Sequence, residues 1–202
     1  MATLLRIDAE TLPRVVVLDP PITDAEFEAL CRENSDIRLE RTKQGAVRMN
    51  PPTGGWTGSG NQEISRQLGN WGVSRQGRVF DSSTGFRLPD GSTLSPDASY
   101  ITQERLRTLP KGGLKGFPRI CPDFVIELRS ESDPIHELKE KMADWIANGA
   151  QLAWLIDPQE RKVLVFRPNR PAEVVEGNQI AGEGPIEGFV LDLNRVWKCY
   201  QD

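Results

Sequence analysis

The sequence predicts an α/β fold, a mixed β-sheet flanked by helices, and three consecutive stretches carry that prediction. Cys121 to Ser130 (CPDFVIELRS) is an apolar run with alternating character, the mark of a strand. A helix follows, with Asp133 as N-cap, Pro134 at its first position and Gly149 just past its end. Ile135, Leu138, Met142, Trp145 and Ile146 form its apolar face. Leu152 to Ile156 is then a buried strand, and strand, helix, strand implies a crossover between parallel strands.

The remaining elements follow from the same signals. Arg14 to Leu18 reads as a short strand, and Thr23 with Glu26 forms a capping box for a helix whose stripe is Phe27, Leu30 and Cys31. Ile37 to Arg41 and Ala46 to Met49 make a hairpin around Lys43-Gln44-Gly45. Pro51 to Gly60 is too rich in Gly and Pro for an element interior and reads as a loop. Ile64, Leu68 and Trp71 recur at helical spacing between Ser59 and Trp71.

Arg78 to Asp81, Gly85 to Leu88 and Ser92 to Ile101 are strands, with a Pro89-Asp90-Gly91 turn between the last two. Thr102 to Ile120 is expected to be a basic loop with a short helix at Glu104 to Leu109. Asp157 to Glu160 turns into a paired strand, Lys162 to Arg167. The whole reads as one domain over residues 1–202: an N-terminal strand, helix and hairpin extension (1–58), a core (59–170) and a C-terminal strand and tail (171–202).

Composition narrows the functional classes. Lys plus Arg number 25 against 29 Asp plus Glu, a net charge of −4, so this is no basic nucleic-acid coat. Three scattered cysteines, Cys31, Cys121 and Cys199, read as reduced thiols of a cytoplasmic protein. No apolar run is long enough for a membrane span, so no membrane partner is expected. The single histidine, His136, excludes a zinc site built on several imidazoles, so any metal chemistry must use oxygen ligands.

The chemistry lies in carboxylates that interrupt strands. Glu127 sits in mid-strand on the face opposite Phe124, Ile126 and Leu128, where an unpaired charge is costly. It needs a cation, a metal or a proton, and Arg129 on the same face is the simplest partner. Pro96-Asp97 and Pro122-Asp123 each open a strand; if the strands pair, Asp97 and Glu127 converge at one sheet edge and could seat Mg²⁺ or Mn²⁺. Lys139 or Lys141 on the following helix could then orient water or stabilise phosphate charge, and helical spacing does not choose between them.

Three blocks, SSTGFRLPDGSTLSPDASYI, CPDFVIELRSESD and ELKEKMADWIANGAQLAWLIDPQERKVLVFRP, resemble the Uma-type family of bacterial endonucleases within the PD-(D/E)XK superfamily. The similarity spans roughly residues 22–197. It implies a restriction-endonuclease-like core, a divalent-metal site, DNA as substrate and a homodimer. On that pattern Asp97 and Glu127 are the catalytic metal ligands and Lys141, four residues before Trp145, is the catalytic lysine. Glu40 and Glu63 match further acidic positions. Arg129 departs from the pattern, standing where the superfamily has Lys, and a guanidinium is a poor proton acceptor.

The bland alternatives are specific. Asp123 either helps the site or caps a strand end, and Lys141 either serves the site or packs its stem on Trp145 with a solvated ammonium. Ser130 and Ser132 read as helix-capping residues and His136 as exposed. For nucleic-acid contact, Trp56 with nearby Lys43, Arg48 and Asn61 is one candidate, and the loop cations Arg105, Arg107, Lys111, Lys115 and Arg119 are the better one. The alternative to an enzyme is a catalytically inactive member of the fold that binds nucleic acid or a protein.

Overall fold

The computed structural model describes residues 15–18, 21–50 and 52–201; Arg14 and Pro51 of the expected strand and loop lie outside them. In chain order the elements are β1 (Val15–Val16), α1 (Asp24–Glu33), β2 (Arg38–Arg41), β3 (Val47–Asn50), α2 (Gly55–Gly72), β4 (Arg78–Asp81), β5 (Phe86–Arg87), β6 (Thr93–Leu94), β7 (Ala98–Ile101) and α3 (Gln103–Leu106). Then come β8 (Phe124–Leu128), α4 (Ile135–Ala147), β9 (Leu152–Asp157), β10 (Lys162–Phe166), β11 (Glu173–Glu176), β12 (Gln179–Ala181), β13 (Val190–Asp192) and α5 (Leu193–Lys198). The α/β class is as the sequence predicts.

The main sheet has six strands in the order β11-β10-β9-β8-β7-β4. Among the described residues its one parallel pair is β8 with β9, joined through α4 as the crossover expectation requires. Side-chain alternation along β8 divides the interior. Phe124, Ile126 and Leu128 pack with Trp154 and Ile156 beneath α2 and α5, while Val125 joins Ala153, Leu155, Met142 and Trp145 beneath α4. Gly60 lets α2 approach this sheet: a Cβ there would lie 2.9 Å from Leu128 Cδ2 and 3.1 Å from the Tyr200 ring.

A second, antiparallel sheet runs β1-β3-β2-β6-β5, so the N-terminal hairpin pairs with strands of the core region. Leu39, Val47 and Met49 face Phe27 of α1, whose capping box at Thr23 and Glu26 forms as expected. The alternate residues Arg38, Glu40, Arg48 and Asn50 are left for the other face.

Four expectations are corrected. The segment from Pro51 to Gly60 is not a loop throughout, because α2 starts at Gly55; of its helical glycines, Gly60 is the one that meets Leu128 and Tyr200 closely. Ser92 to Ile101 is two strands in two sheets. Pro96 has no N–H to give a ladder, and the chain changes sheets across Ser95-Pro96-Asp97. Asp133 does not cap α4, whose N-cap is Pro134; its carboxylate instead accepts from the Ser130 N–H at 3.1 Å and hydroxyl at 2.6 Å. The C-terminal region is more than a strand and tail, since β12 and β13 form a ribbon and α5 packs Val196 and Trp197 into the core. Gly149, at φ +109°, ends α4 as read from the sequence.

Candidate active site

The change of sheet at Ser95 to Asp97 builds the site. β7 and β8 pair Ala98 with Ile126, and one step beyond that register Asp97 stands opposite Glu127. The Asp97 N–H donates to the Ile126 carbonyl at 3.0 Å, and Asp97 Oδ2 accepts the Leu128 N–H at 2.8 Å. The Asp97 side chain thus continues the ladder that Pro96 interrupts, and its carboxylate is fixed beside the end of β8. The two strands pair, and Asp97 and Glu127 line one cleft.

Lys141 enters from α4. Its ammonium lies 2.9 Å from Glu127 Oε1, 2.9 Å from Glu40 Oε1 and 3.0 Å from the Ser95 carbonyl, three acceptors for three N–H donors. Lys141 is buried whereas Lys139 is exposed, which separates two lysines that helical spacing could not. Glu40 also accepts the Ser95 N–H at 2.8 Å, so the backbone of one residue holds both ends of the Lys141–Glu40 pair. Trp145, one turn beyond Lys141, donates from Nε1 to Glu127 Oε1 at 2.9 Å.

These contacts set the charge states. Burial drives the Glu127 carboxyl up, and Asp97 and Glu40 add to the rise, which Lys141 only partly offsets; the result is about 7. Burial also pushes Glu40 upward, but Lys141 and the Ser95 N–H outweigh it and hold Glu40 below the usual carboxylate range. Burial disfavours the Lys141 charge, yet Glu127 and Glu40 overcome that and keep it an ammonium. Lys141 is therefore a fixed positive charge between two unequal carboxylates.

The cluster opens into a cleft of about 1040 Å³ lined by Arg38, Glu40, Arg48, Asn50, Trp56, Asn61, Asp97, Glu127, Lys141 and Tyr200, among others. Arg38 Nη1 lies 3.6 Å from Asp97 Oδ1 and 3.2 Å from the Ser82 carbonyl. Asn61 Nδ2 approaches Asp97 Oδ1 at 3.4 Å. Sequence reasoning missed Arg38, Ser95 and the Trp145 N–H. Arg38 had a signal, since it shares a strand face with Glu40, and Trp145 had one too, being four residues from Lys141.

Other expected site residues lie elsewhere. Glu63 faces Arg66 and Gln67 on its own helix rather than the cleft. Asp123 is fully buried and accepts from Thr102, Gln151 and Arg105, tying α3 to the start of β9. It stands four residues before Glu127, roughly 13 Å along an extended strand. Arg129 does not bridge Glu127; its Nη1 bonds Asp157 Oδ2 at 2.9 Å and its Nε the Asp133 carbonyl at 3.2 Å. Arg105 is held by Asp123 and the Gly149 carbonyl, and none of Arg105, Arg107, Lys111 and Lys115 lines the cleft. Trp56 does line it, and is 46% exposed. His136 is exposed, as expected.

The donor chemistry fits a hard divalent cation. Asp97 and Glu127 supply oxygen on one cleft, and both bonds to Glu127, from Lys141 and Trp145, fall on Oε1 rather than Oε2. Among the described residues no group of three or more His, Cys, Asp or Glu could hold a metal ion, so a cation here would rely on two carboxylates together with water and substrate oxygens, a habit of Mg²⁺. None of the helices among the described residues is long and apolar enough to cross a membrane.

Comparison with known proteins places the chain's fold and family. No curated protein matches the sequence. A crystal structure at 1.96 Å resolution of a "putative nuclease belonging to DUF820" from Anabaena variabilis ATCC 29413 superposes with a TM-score of 0.68 at 21% identity, over 80% of this chain and 90% of that one, and shares the fold. A cryo-electron-microscopy structure of a DrdV–DNA complex aligns with a TM-score of 0.35 at 13% identity, over 55% of this chain and 9% of that one. The model of the Uma2 family, described as "putative restriction endonuclease", matches residues 24–194. The chain belongs to the Uma2 family.

Proposed function

We propose that the protein is a divalent-metal-dependent endonuclease that hydrolyses DNA phosphodiester bonds. The observation that carries this reading is the convergence of Asp97 and Glu127 on one cleft, with the buried Lys141 ammonium 2.9 Å from Glu127. Asp97 and Glu127 would hold Mg²⁺ or Mn²⁺, which when bound would polarise the phosphate and lower the pKa of a bound water. Lys141 fixes the orientation of Glu127 and offsets charge on the substrate, and its three filled donors argue for that electrostatic role over proton abstraction. Glu40 is a positioning residue, holding the lysine from the second sheet. Three free thiols accord with a reducing, cytoplasmic setting, and the family resemblance carries a homodimer, which light scattering of the purified protein tests.

The test is incubation of the purified protein with plasmid DNA and Mg²⁺ or Mn²⁺. Cleavage lost in Glu127→Ala and in Asp97→Asn is expected; no cleavage by the wild type, or cleavage undiminished in Glu127→Ala, sinks the reading. A second reading, a binding module without catalysis, is favoured by the pairing of Asp97 with Arg38 at 3.6 Å, which lends this carboxylate a cation without a metal. Calorimetric binding of Mn²⁺ that disappears in Asp97→Asn counts against it.

A further inference from the structure

Of the cations expected to meet a nucleic-acid backbone, those in the loop after α3 stay off the cleft, Arg105 being consumed by Asp123 and the Gly149 carbonyl, while Arg48, expected beside Trp56, lines it. A different set of donors lines the cleft. Strand alternation that turns Leu39, Val47 and Met49 toward α1 turns Arg38 on β2, and Arg48 and Asn50 on β3, to the face of Glu40. These two strands pair Arg38 with Asn50 and Glu40 with Arg48, so the donors form one contiguous patch beside the carboxylates.

The patch is under-used within the chain. Arg48 Nε and Asn50 Nδ2 are buried donor atoms with no hydrogen-bond partner, and the only ion pair of Arg48 among the described residues is a long 3.9 Å contact to Glu137. Buried donors are normally satisfied, and leaving one unmade costs about 1–3 kcal/mol. Two guanidiniums and an amide facing the same opening form a receptor for anionic oxygens, and an arginine fork suits the two non-bridging oxygens of a phosphate.

We propose that Arg38, Arg48 and Asn50 form the phosphate-binding wall of the cleft, gripping the DNA backbone next to the bond that Asp97, Glu127 and Lys141 address. The assignment rests on the endonuclease reading for its substrate but not for its test, since binding is measured without turnover. The β2–β3 hairpin thereby becomes the substrate-holding part of the molecule, and the loop after α3 has no part in it.

The experiment is fluorescence anisotropy of a labelled DNA oligonucleotide with the full chain in EDTA, titrated across salt concentrations. Arg48→Gln is expected to weaken binding about tenfold and to lower the salt slope by about 0.7–0.9, one phosphate contact's worth. Asn50→Ala should weaken binding with the slope unchanged, and Arg48→Lys should keep the slope while losing part of the affinity. Circular dichroism melts of each variant establish that the fold is retained. Unchanged affinity and slope in both Arg48→Gln and Arg38→Gln overturn the proposal, as does a loss confined to Arg107→Gln and Lys111→Gln. Cleavage that depends on Glu127 without any effect of Arg48 on binding would refute the wall and leave the endonuclease; the converse result would keep the wall and refute the enzyme.

Discussion

Replacing Glu127 by Gln separates what this side chain does for the fold from what it does for chemistry. The carboxyl is raised from 4.5 to about 7, so the folded protein binds that proton more tightly than the unfolded chain does. The stability this confers is fully present below pH 4.5 and is lost as pH rises through 7. At about 1.4 kcal/mol per pH unit the loss amounts to roughly 3 kcal/mol. Gln mimics the protonated carboxyl, can still accept from Trp145 Nε1, and leaves Lys141 with Glu40 and Ser95. Urea unfolding in EDTA, run for wild type and Glu127→Gln across that range, should show the variant gaining on the wild type by about 3 kcal/mol between acid and pH above 7, while plasmid cleavage disappears. A stability difference that is flat with pH, or that moves against the variant on the alkaline side, would refute the reasoning and make Glu127 chiefly an ion-pair partner for Lys141.

Two further substitutions follow from the same geometry. Glu40→Gln should show the opposite pH sense: Glu40's carboxyl is lowered, so its contribution is present above the unfolded value of 4.5 and lost as pH falls, and the variant's deficit in urea unfolding should close on acidification. Arg129→Gln strips the cation from Asp157, which is 1% exposed, and should cost about 3–5 kcal/mol in the same assay while turnover per folded molecule is retained; turnover lost in well-folded protein would return Arg129 to the site.

Much of this architecture was legible in the sequence because its signals are local. The capping box at Thr23, the alternation in Phe124 to Leu128 and the left-handed Gly149 each act within a few residues. Through the family resemblance, Asp97, Glu127 and Lys141 were expected to share one site, and the structure places them on one cleft. Partners were not legible where they depend on strand neighbours far away in the chain. Arg129 looked like the mate of Glu127 because it is two residues distant on one face, yet Asp157, from the parallel neighbour β9, lies closer in space. Asp123 shows the same limit: a carboxylate after Pro reads alike whether it serves a site or, as here, bonds Thr102 and Gln151. The break at Pro96 carried a signal in the missing N–H, but no local rule says that the chain then enters a second sheet.

The Ser95 backbone, whose N–H bonds Glu40 and whose carbonyl bonds Lys141, also bears on when the cleft is complete. Glu40 is 55 residues from Ser95 in the chain, and Lys141 is 46 residues away. Contacts of such long range close late in folding, after their loop entropy has been overcome. A chain that has formed only the six-stranded sheet has Asp97 beside Glu127 but lacks Glu40 to steady the lysine. On the endonuclease reading proposed above, competence to cleave is thereby tied to completion of the fold, and a half-folded chain would not cut DNA.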